Sequence, residues 1–574
     1  MSFINPSFLD KVAKKTIFTI ILFLTHFNIT ICYSIENNNI ASKKNPPFLR
    51  IPIDVQTRSV DPTFAYYEAS IELTEQLFLG ILGFEFKKNR INVVSEIAKS
   101  WQVNEDGTIY RFKLRDDVYW TKGITGEKVR KVDAKDIVYA IHRNINPKTD
   151  APYAFILYAL KNGQKIHSGE IKDISSIGVK VLNDFTIEFE LENPATYFPS
   201  LLTLWIFKPL PSEQIRKYGK KWTEPENIWT NGPYFLDKWH KHWKMNLKKN
   251  PNYFNLDCVE IPEIHYFIVP ESFAGLHMYK ENKLDILGDG FLRLPASEVL
   301  NITNDNQLGS QLYTVPRYFT YCYLLNTKRY PLNKTSIRQA ISLSIDRDLL
   351  VDIITHGIEK SAYSFTPPFL MGIDNKKKEI DIGIKFNSEK AKKLLEKEGF
   401  LNGKNFPELI LMHPISEIHS SIARAISSFL KHYHNIKVKI IEDTWDNYSN
   451  IAFQKDRSKA PHITPLGWGA DYLDAHNWLN DAFSYSQSFT GWKNIKYDEL
   501  VELAGKNPDQ NQRFILYQKA EKILVKKECA IVPLFFETAK YLIKPRIKNW
   551  FFLPTYGQQL MHWSIEDIKN ENIP

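Results

Sequence analysis

Cysteine is scarce in this chain: four cysteines occur among 574 residues. This is too few for the disulfide framework of a small secreted scaffold, and no Cys-x-x-Cys pair indicates a zinc site. Cys32 lies near the N-terminus, which leaves Cys258, Cys322 and Cys529. Three thiols allow at most one internal bridge, so we do not expect disulfides to determine the fold.

Signatures of catalysis and of nucleotide binding are missing as well. The sequence contains no G-x-S-x-G, H-E-x-x-H, G-x-x-x-x-G-K-[ST] or G-x-G-x-x-G motif. Gly288-Asp289-Gly290 predicts a turn, and His413 and His419, which flank Glu417 in a loop-like stretch, are a weak indication of a metal site. We therefore expect a chain that is not an enzyme, with neither metal nor cofactor.

Long runs of one charge are lacking too. The net charge of +9 is small for 574 residues, and the longest basic run is Lys376-Lys377-Lys378. Such a run is typical of a solvated loop, so we expect no nucleic-acid partner.

A long apolar run occurs at the N-terminus and does not recur at membrane-spanning length. Lys11, Lys14 and Lys15 precede apolar residues 17–27, and the small residue Ser34 follows. This layout predicts a signal peptide over residues 1–34, cleaved after Ser34. An uncleaved anchor is the alternative, but the run is about half of the ~20 residues that a span needs. A lipoprotein through Cys32 is a weaker option because Ile31 is bulky. We expect a polar leader at residues 35–47 and a mature protein soluble in the periplasm.

Strand-like and helical patterns alternate from Phe48 onward, which favours an α/β architecture. Alternating Tyr110, Phe112 and Leu114 predict a half-buried strand. Helices are predicted at residues 132–143, 335–356 and 388–398, capped by Asp133 at the first, ended by Gly357 at the second and capped by Ser388 at the third. Composition alone does not place domain boundaries.

Eight short motifs follow one another in a characteristic order across residues 50–545. Together they resemble the extracellular solute-binding proteins of peptide ABC importers (family 5), of the oligopeptide-binding type. The motifs are Glu96-Ile97-Ala98-Lys99-Ser100-Trp101, Asn231-Gly232-Pro233-Tyr234, Lys283-Leu284-Asp285-Ile286, Ile337-Arg338-Gln339-Ala340 with Asp346-Arg347, Thr366-Pro367-Pro368, Gly467-Trp468-Gly469-Ala470-Asp471-Tyr472, Tyr517-Gln518-Lys519-Ala520-Glu521 and Ala530-Ile531-Val532-Pro533.

The resemblance implies a three-lobed periplasmic binding protein with two halves that close on a ligand through a hinge. Lobe I is expected to use three separate segments of the chain. The implied boundaries are 35–80, 213–318 and 540–574 for lobe I, 81–212 for lobe II and 319–539 for lobe III.

The resemblance also implies a ligand site. Asp471 is expected to pair with the α-amino group of a peptide, and Trp468 and Trp445 to form the walls of side-chain pockets. Further ligand contacts are implied for Gly467, for Tyr153, for Tyr66 and Glu68 in a strand that offers its backbone, and for His419 near the carboxyl end of some ligands.

Two positions depart from the family pattern. Some members carry an arginine, which meets the carboxylate of short peptides, where this chain has Pro465. Some carry a bridged cysteine at the place of Gly469, so that disulfide cannot form here. The amine end of the site is therefore retained and the carboxyl end is not, which leaves the preferred peptide length open.

The function implied is capture of short peptides and their delivery to the membrane subunits of an ABC importer, by a monomer. The alternatives are a binder of the same fold for a murein peptide, a metal chelate or haem, and an exported hydrolase.

Overall fold

The structure, a computed structural model, describes residues 47–54, 59–87, 90–373, 381–454, 456–484, 491–553 and 557–566. The predicted signal peptide, residues 35–46 of the predicted leader and the basic run at residues 376–378 lie outside the described residues. Signal cleavage therefore stays a prediction. No helix in the described ranges is long and apolar enough to cross a membrane.

Strands and helices alternate along the described chain, as the sequence predicts. The strands are β1 Phe48–Ile53, β2 Leu82–Lys87, β3 Arg90–Ser95, β4 Ala98–Val103, β5 Ile109–Leu114, β6 Tyr119–Lys122, β7 Lys128–Lys131, β8 Val179–Asn183, β9 Thr186–Glu190, β10 Trp229–Thr230, β11 Tyr234–His240, β12 Lys244–Lys249, β13 Glu263–Ile268, β14 Ile286–Gly288, β15 Leu312–Leu325, β16 Lys360–Ser361, β17 Leu409–Pro414, β18 Val438–Asp443, β19 Ile463–Gly469, β20 Ile531–Ile543, β21 Ile547–Lys548 and β22 Ser564–Ile565. The α-helices are α1 Glu68–Leu77, α2 Ala134–Ile145, α3 Gly163–His167, α4 Phe198–Leu201, α5 Ser212–Tyr218, α6 Ser272–Lys280, α7 Val299–Asn304, α8 Asn306–Gly309, α9 Thr335–Leu343, α10 Arg347–Thr355, α11 Ser388–Lys397, α12 Glu417–His434, α13 Trp445–Ala452, α14 Ala475–Phe483, α15 Ile495–Lys506 and α16 Gln510–Lys522.

Three mixed or antiparallel sheets organise most of these strands. The first has the order β1-β13-β12-β11, with β1 parallel to β13, and the second has the order β4-β5-β9-β8. The third and largest has the order β14-β20-β15-β19-β17-β18, and β16 adds to β20. This mixture of helices and sheets is the α/β class that the alternating sequence pattern predicts.

Two long strands connect the two main groups of buried residues. One core draws on residues 49–291 and 539–563, with Tyr472 added, and two others draw on residues 321–535. Strands β15 and β20 pair with each other and reach into both groups. Their register shifts between Pro316 and Thr320, so the ladder is interrupted where the chain passes from one group to the other.

A buried carboxylate ties three distant segments of the chain together. Asp285 is fully buried and accepts hydrogen bonds from the guanidinium groups of Arg50 and Arg546 at 2.7–3.0 Å. Burial alone would raise the pKa of Asp285, but the two arginines hold it below its usual range. Glu72 makes a second connection, because it accepts from Tyr266 Oη at 3.1 Å and from the backbone of Gln558 at 2.7 Å.

The local predictions are partly confirmed. Strand β5 has the expected alternation of buried and exposed residues, and Asp133 caps α2. The single helix predicted over residues 335–356 is wrong, because the chain breaks after α9 and Asp346 caps a second helix by accepting from Leu349 N. The predicted cap Ser388 is also wrong: the side chain of Asn387 accepts from Lys390 N, and Ser388 is the first helical residue.

The structure also shows the surroundings of the cysteines, of the Gly288 turn and of the histidines near Glu417. Cys258, Cys322 and Cys529 are free thiols. A turn follows Gly288, as predicted. The stretch around Glu417 is not a loop, since His413 lies on β17 and His419 on α12, and no group of three metal-ligating side chains occurs in the described ranges.

We expect Asp285→Asn to destabilise the protein by about 3–5 kcal/mol, because it leaves two guanidinium groups without a counter-charge. Urea unfolding at neutral pH measures the loss. The pKa of Asp285 is depressed in the folded state, so the difference from the parent should shrink as the pH falls through that value. The exposed Asp352→Asn serves as the control; an equal loss in both variants would contradict the assigned role.

Candidate ligand-binding site

Three adjacent cavities meet where helix α1 faces the C-terminal segment. They are called here the first, second and third cavity. The first and second share Leu553 and Gly557, and the second and third share Glu75, Glu96 and Gln559. The first and third share Gln558, so each cavity adjoins the other two.

Asp471 lines the second cavity. It lies just after β19, where the chain turns towards α14. Its Oδ1 accepts from Tyr153 Oη at 3.1 Å, and its Oδ2 accepts from Asn477 Nδ2 at 3.4 Å. Tyr153 belongs to the expected lobe II and Asp471 to lobe III, so this hydrogen bond crosses between parts of the chain that are 318 residues apart.

The charge of Asp471 has no basic partner among the described residues. Burial raises the pKa of Asp471, and the hydrogen bonds from Tyr153 and Asn477 oppose this only in part. A carboxylate that is removed from water and lacks a counter-ion favours binding of a cation. The site is therefore electrostatically suited to a positively charged ligand group.

Asn477 positions the Asp471 loop. It is fully buried on α14, and its Oδ1 accepts from the backbone N of Asp471 at 3.2 Å and from Trp468 Nε1 at 3.3 Å. Trp468 thus supports Asp471 through Asn477, while its ring packs against a buried core. Gly467 leaves space for the ring of Phe319, since a Cβ at that position would lie 2.4 Å from Phe319 Cζ.

The predicted strand at Tyr66 and Glu68 is wrong. Glu68 is the first residue of α1, and Tyr66 lies in the segment before it with a ring centroid 3.9 Å from that of Tyr67. Glu68 lines the first cavity, where it forms ion pairs with Arg317 and with Arg293. Burial alone would raise the pKa of Glu68, but the two arginines hold it below its usual range.

Two other predicted residues lie away from these cavities. His419 Nδ1 forms a hydrogen bond with Tyr321 Oη at 2.6 Å, and burial lowers the pKa of His419 to about 4. The imidazole is therefore neutral near pH 7 and cannot attract a carboxylate by its charge. Trp445 begins α13 and is 64% exposed, and it does not line any of the three cavities within the described residues.

Further contacts join the same distant parts of the chain as the Tyr153–Asp471 hydrogen bond. The ring of Tyr197 stacks on His476 with centroids 3.9 Å apart, and Thr196 N donates to Gly505 O at 3.2 Å. The expected lobes II and III are therefore in contact at several points beside the Tyr153–Asp471 hydrogen bond.

Residues 92–490 match the family model of the bacterial extracellular solute-binding proteins, family 5. The chain belongs to this family. The match covers more than half of the chain and includes Asp471, Tyr153 and most of the motifs on which the resemblance rests.

Family 5 relatives match over most of their length. The periplasmic oligopeptide-binding protein OppA of Escherichia coli is 29% identical over 86% of this chain and 88% of its own. OppA of Salmonella typhimurium is 30% identical over 79% and 81%, respectively. The murein tripeptide-binding protein MppA, in its unliganded open form, superposes with a TM-score of 0.78 at 26% identity over 91% of this chain and 97% of its own. OppA of Haemophilus influenzae in complex with RPPGFSPFR has a TM-score of 0.68 at 27% identity over 90% and 99%.

Several residues that line these cavities were missed by sequence reasoning. Arg317, Glu75, Glu96 and Trp205 line the cavities, yet none of them lies in a quoted motif that assigns it to a ligand. Glu96 begins the first motif, but nothing in that motif indicates that its side chain enters a cavity.

We expect Asn477→Ala to destabilise the protein by about 1–3 kcal/mol, because Asp471 N and Trp468 Nε1 lose their buried acceptor. Urea unfolding gives the value. The exposed Asn301→Ala, on the surface of α7, is the matched control and should stay within about 0.5 kcal/mol of the parent. No difference between the two variants would mean that Asn477 does not hold the loop.

Proposed function

We propose that this protein binds short peptides outside the inner membrane and delivers them to the membrane subunits of an ABC importer. In this proposal it acts as an exported monomer, without a cofactor and without catalysing a reaction. The observation that carries it is the carboxylate of Asp471, which is largely removed from water and lines a cavity without a basic partner among the described residues.

The relatives support the same chemistry. The E. coli and S. typhimurium proteins are named as oligopeptide-binding proteins, and the H. influenzae relative holds a nine-residue peptide. A peptide has an α-ammonium group at one end, which suits the unbalanced charge of Asp471. It also offers backbone donors and acceptors along its length, so tight binding does not require a unique sequence.

In the proposed mechanism the peptide replaces the protein's own contacts at Asp471. The α-ammonium group either displaces Tyr153 Oη from Asp471 or binds to Asp471 beside it. The register shift between Pro316 and Thr320 supplies a flexible point in the long strands, about which the two halves close on the ligand. Closure excludes water, so the ion pair strengthens as the cavity is sealed.

We expect Asp471→Asn to weaken peptide binding by about 2–5 kcal/mol, the usual cost of losing one partner of a buried charge pair. An N-acetylated peptide should bind the parent weakly for the same reason. The two changes should not be additive, because both remove the same interaction. Calorimetry on the four combinations gives the coupling energy.

Asp352→Asn, an exposed exchange of the same kind, is the control and should leave the affinity unchanged. If acetylated and free peptides bind the parent protein equally well, Asp471 does not hold the α-amino group.

Closure is expected to make the peptide-bound protein more compact than the free protein. Small-angle X-ray scattering with and without saturating peptide measures the radius of gyration. A decrease on binding is the expected result, and an identical value in both states would argue against a hinge.

A further inference from the structure

Asp471 is not the only acid of the second cavity. Glu75 and Glu96 line it as well, and both also line the third cavity. Among the described residues that line the two cavities, Lys208 is the one base: it is buried, its Nζ lies 3.0 Å from Glu75 Oε2, and it also donates to a backbone carbonyl. The two cavities together are therefore lined by three carboxylates and one ammonium group, which is paired with Glu75.

Two glycines make room for the pair of glutamates. A Cβ at Gly83 would lie 2.1 Å from Glu96 Oε1, and a Cβ at Gly557 would lie 2.4 Å from Glu75 Cγ. Both glycines line the second cavity. Any larger residue would push the carboxylates out of their places, so the space for these two side chains depends on the absence of a side chain opposite each.

Hydrogen-bonding groups without partners line the same cavity. Trp205 is 2% exposed, and its Nε1 has no acceptor among the described residues. Gln559 Oε1 is also buried there without a donor in the described ranges. A ligand that enters the cavity can therefore accept from Trp205 Nε1 and donate to Gln559 Oε1. A peptide carbonyl can accept in this way, and an ammonium group can donate.

The charge balance indicates how many positive charges the ligand brings. Asp471, Glu75 and Glu96 together with Lys208 leave two negative charges unmatched when all four groups are ionised. An α-ammonium group neutralises one of them. Burial raises the pKa of Glu96 to about 7, which Lys208 and a 2.9 Å hydrogen bond from Gly80 N oppose and Glu75 increases, so a cation beside Glu96 would stabilise its ionised form.

We propose that Glu75 and Glu96 bind a second positive charge on the ligand, so that the site selects peptides whose first residue has a basic side chain. The inference rests on the proposed function, in which Asp471 holds the α-ammonium group. Because Asp471 and the two glutamates line one cavity, the second charge must lie within side-chain reach of the first. Lysine, ornithine and arginine at the first position meet this requirement.

Calorimetry with Lys-Ala-Ala and norleucine-Ala-Ala tests the proposal, since the two peptides differ in one ammonium group at nearly equal shape. We expect the parent protein to bind the lysine peptide at least about tenfold more tightly. In Glu75→Gln/Glu96→Gln the ratio of the two dissociation constants should fall towards one. In the matched control Glu105→Gln/Glu260→Gln, which changes two exposed acids, the ratio should remain that of the parent.

Gly83→Ala displaces the Glu96 carboxylate without changing any charge and should also lower the ratio; it serves as the second variant if the double exchange does not fold. Equal affinities of the two peptides for the parent, or an unchanged ratio in the folded glutamate or glycine variants, would overturn the inference while leaving the proposed function intact. If neither peptide binds the parent, and a mixed tripeptide library also fails to bind, the proposed function itself fails.

Discussion

The buried carboxylate of Asp285 fixes the relative positions of three segments that are far apart in the sequence. Arg50, at the start of the described chain, and Arg546, near its end, both donate to this one side chain. Strand β1 can pair with β13 and β20 can pair with β14 only when these segments lie together. The cavity walls formed by α1 and the C-terminal segment depend in turn on that arrangement, so the cavities depend on an ion-pair cluster that lies outside their lining.

Several residues of the eight family motifs stabilise the fold. Asp285, which pairs with Arg50 and Arg546, belongs to the third motif. Arg347 of the fourth motif donates to the carbonyl of Pro533 in the eighth. Glu521 of the seventh motif accepts from the backbone of Phe365 and Thr366, and Thr366 begins the fifth. Several of the motifs that identify the family are therefore joined to one another by hydrogen bonds. Glu75, which lines the second and third cavities, lies outside all eight motifs, whereas Glu96 begins the first of them.

The α/β class, the capped helix after Asp133 and the strand β5 were predictable, because periodicity and capping are local properties of the sequence. The break between α9 and α10 was not, since apolar spacing runs through it and only the Asp346 cap marks the new start. Asp471 and Tyr153 were singled out by resemblance, and the structure brings them into contact. Glu75, Glu96 and Arg317 were not found because their importance arises from tertiary proximity across the chain, which one sequence does not display.

The place of Arg546 in the chain has a consequence for the order of folding. A polypeptide emerges from the ribosome, or from a translocation channel, with its N-terminus first. Asp285 and Arg50 therefore emerge long before Arg546. Strand β15 likewise emerges more than two hundred residues before β20, with which it pairs. The arrangement of these particular segments is complete only when almost the whole chain has emerged, whereas the β4-β5-β9-β8 sheet has all its strands within residues 98–190 and can form much earlier.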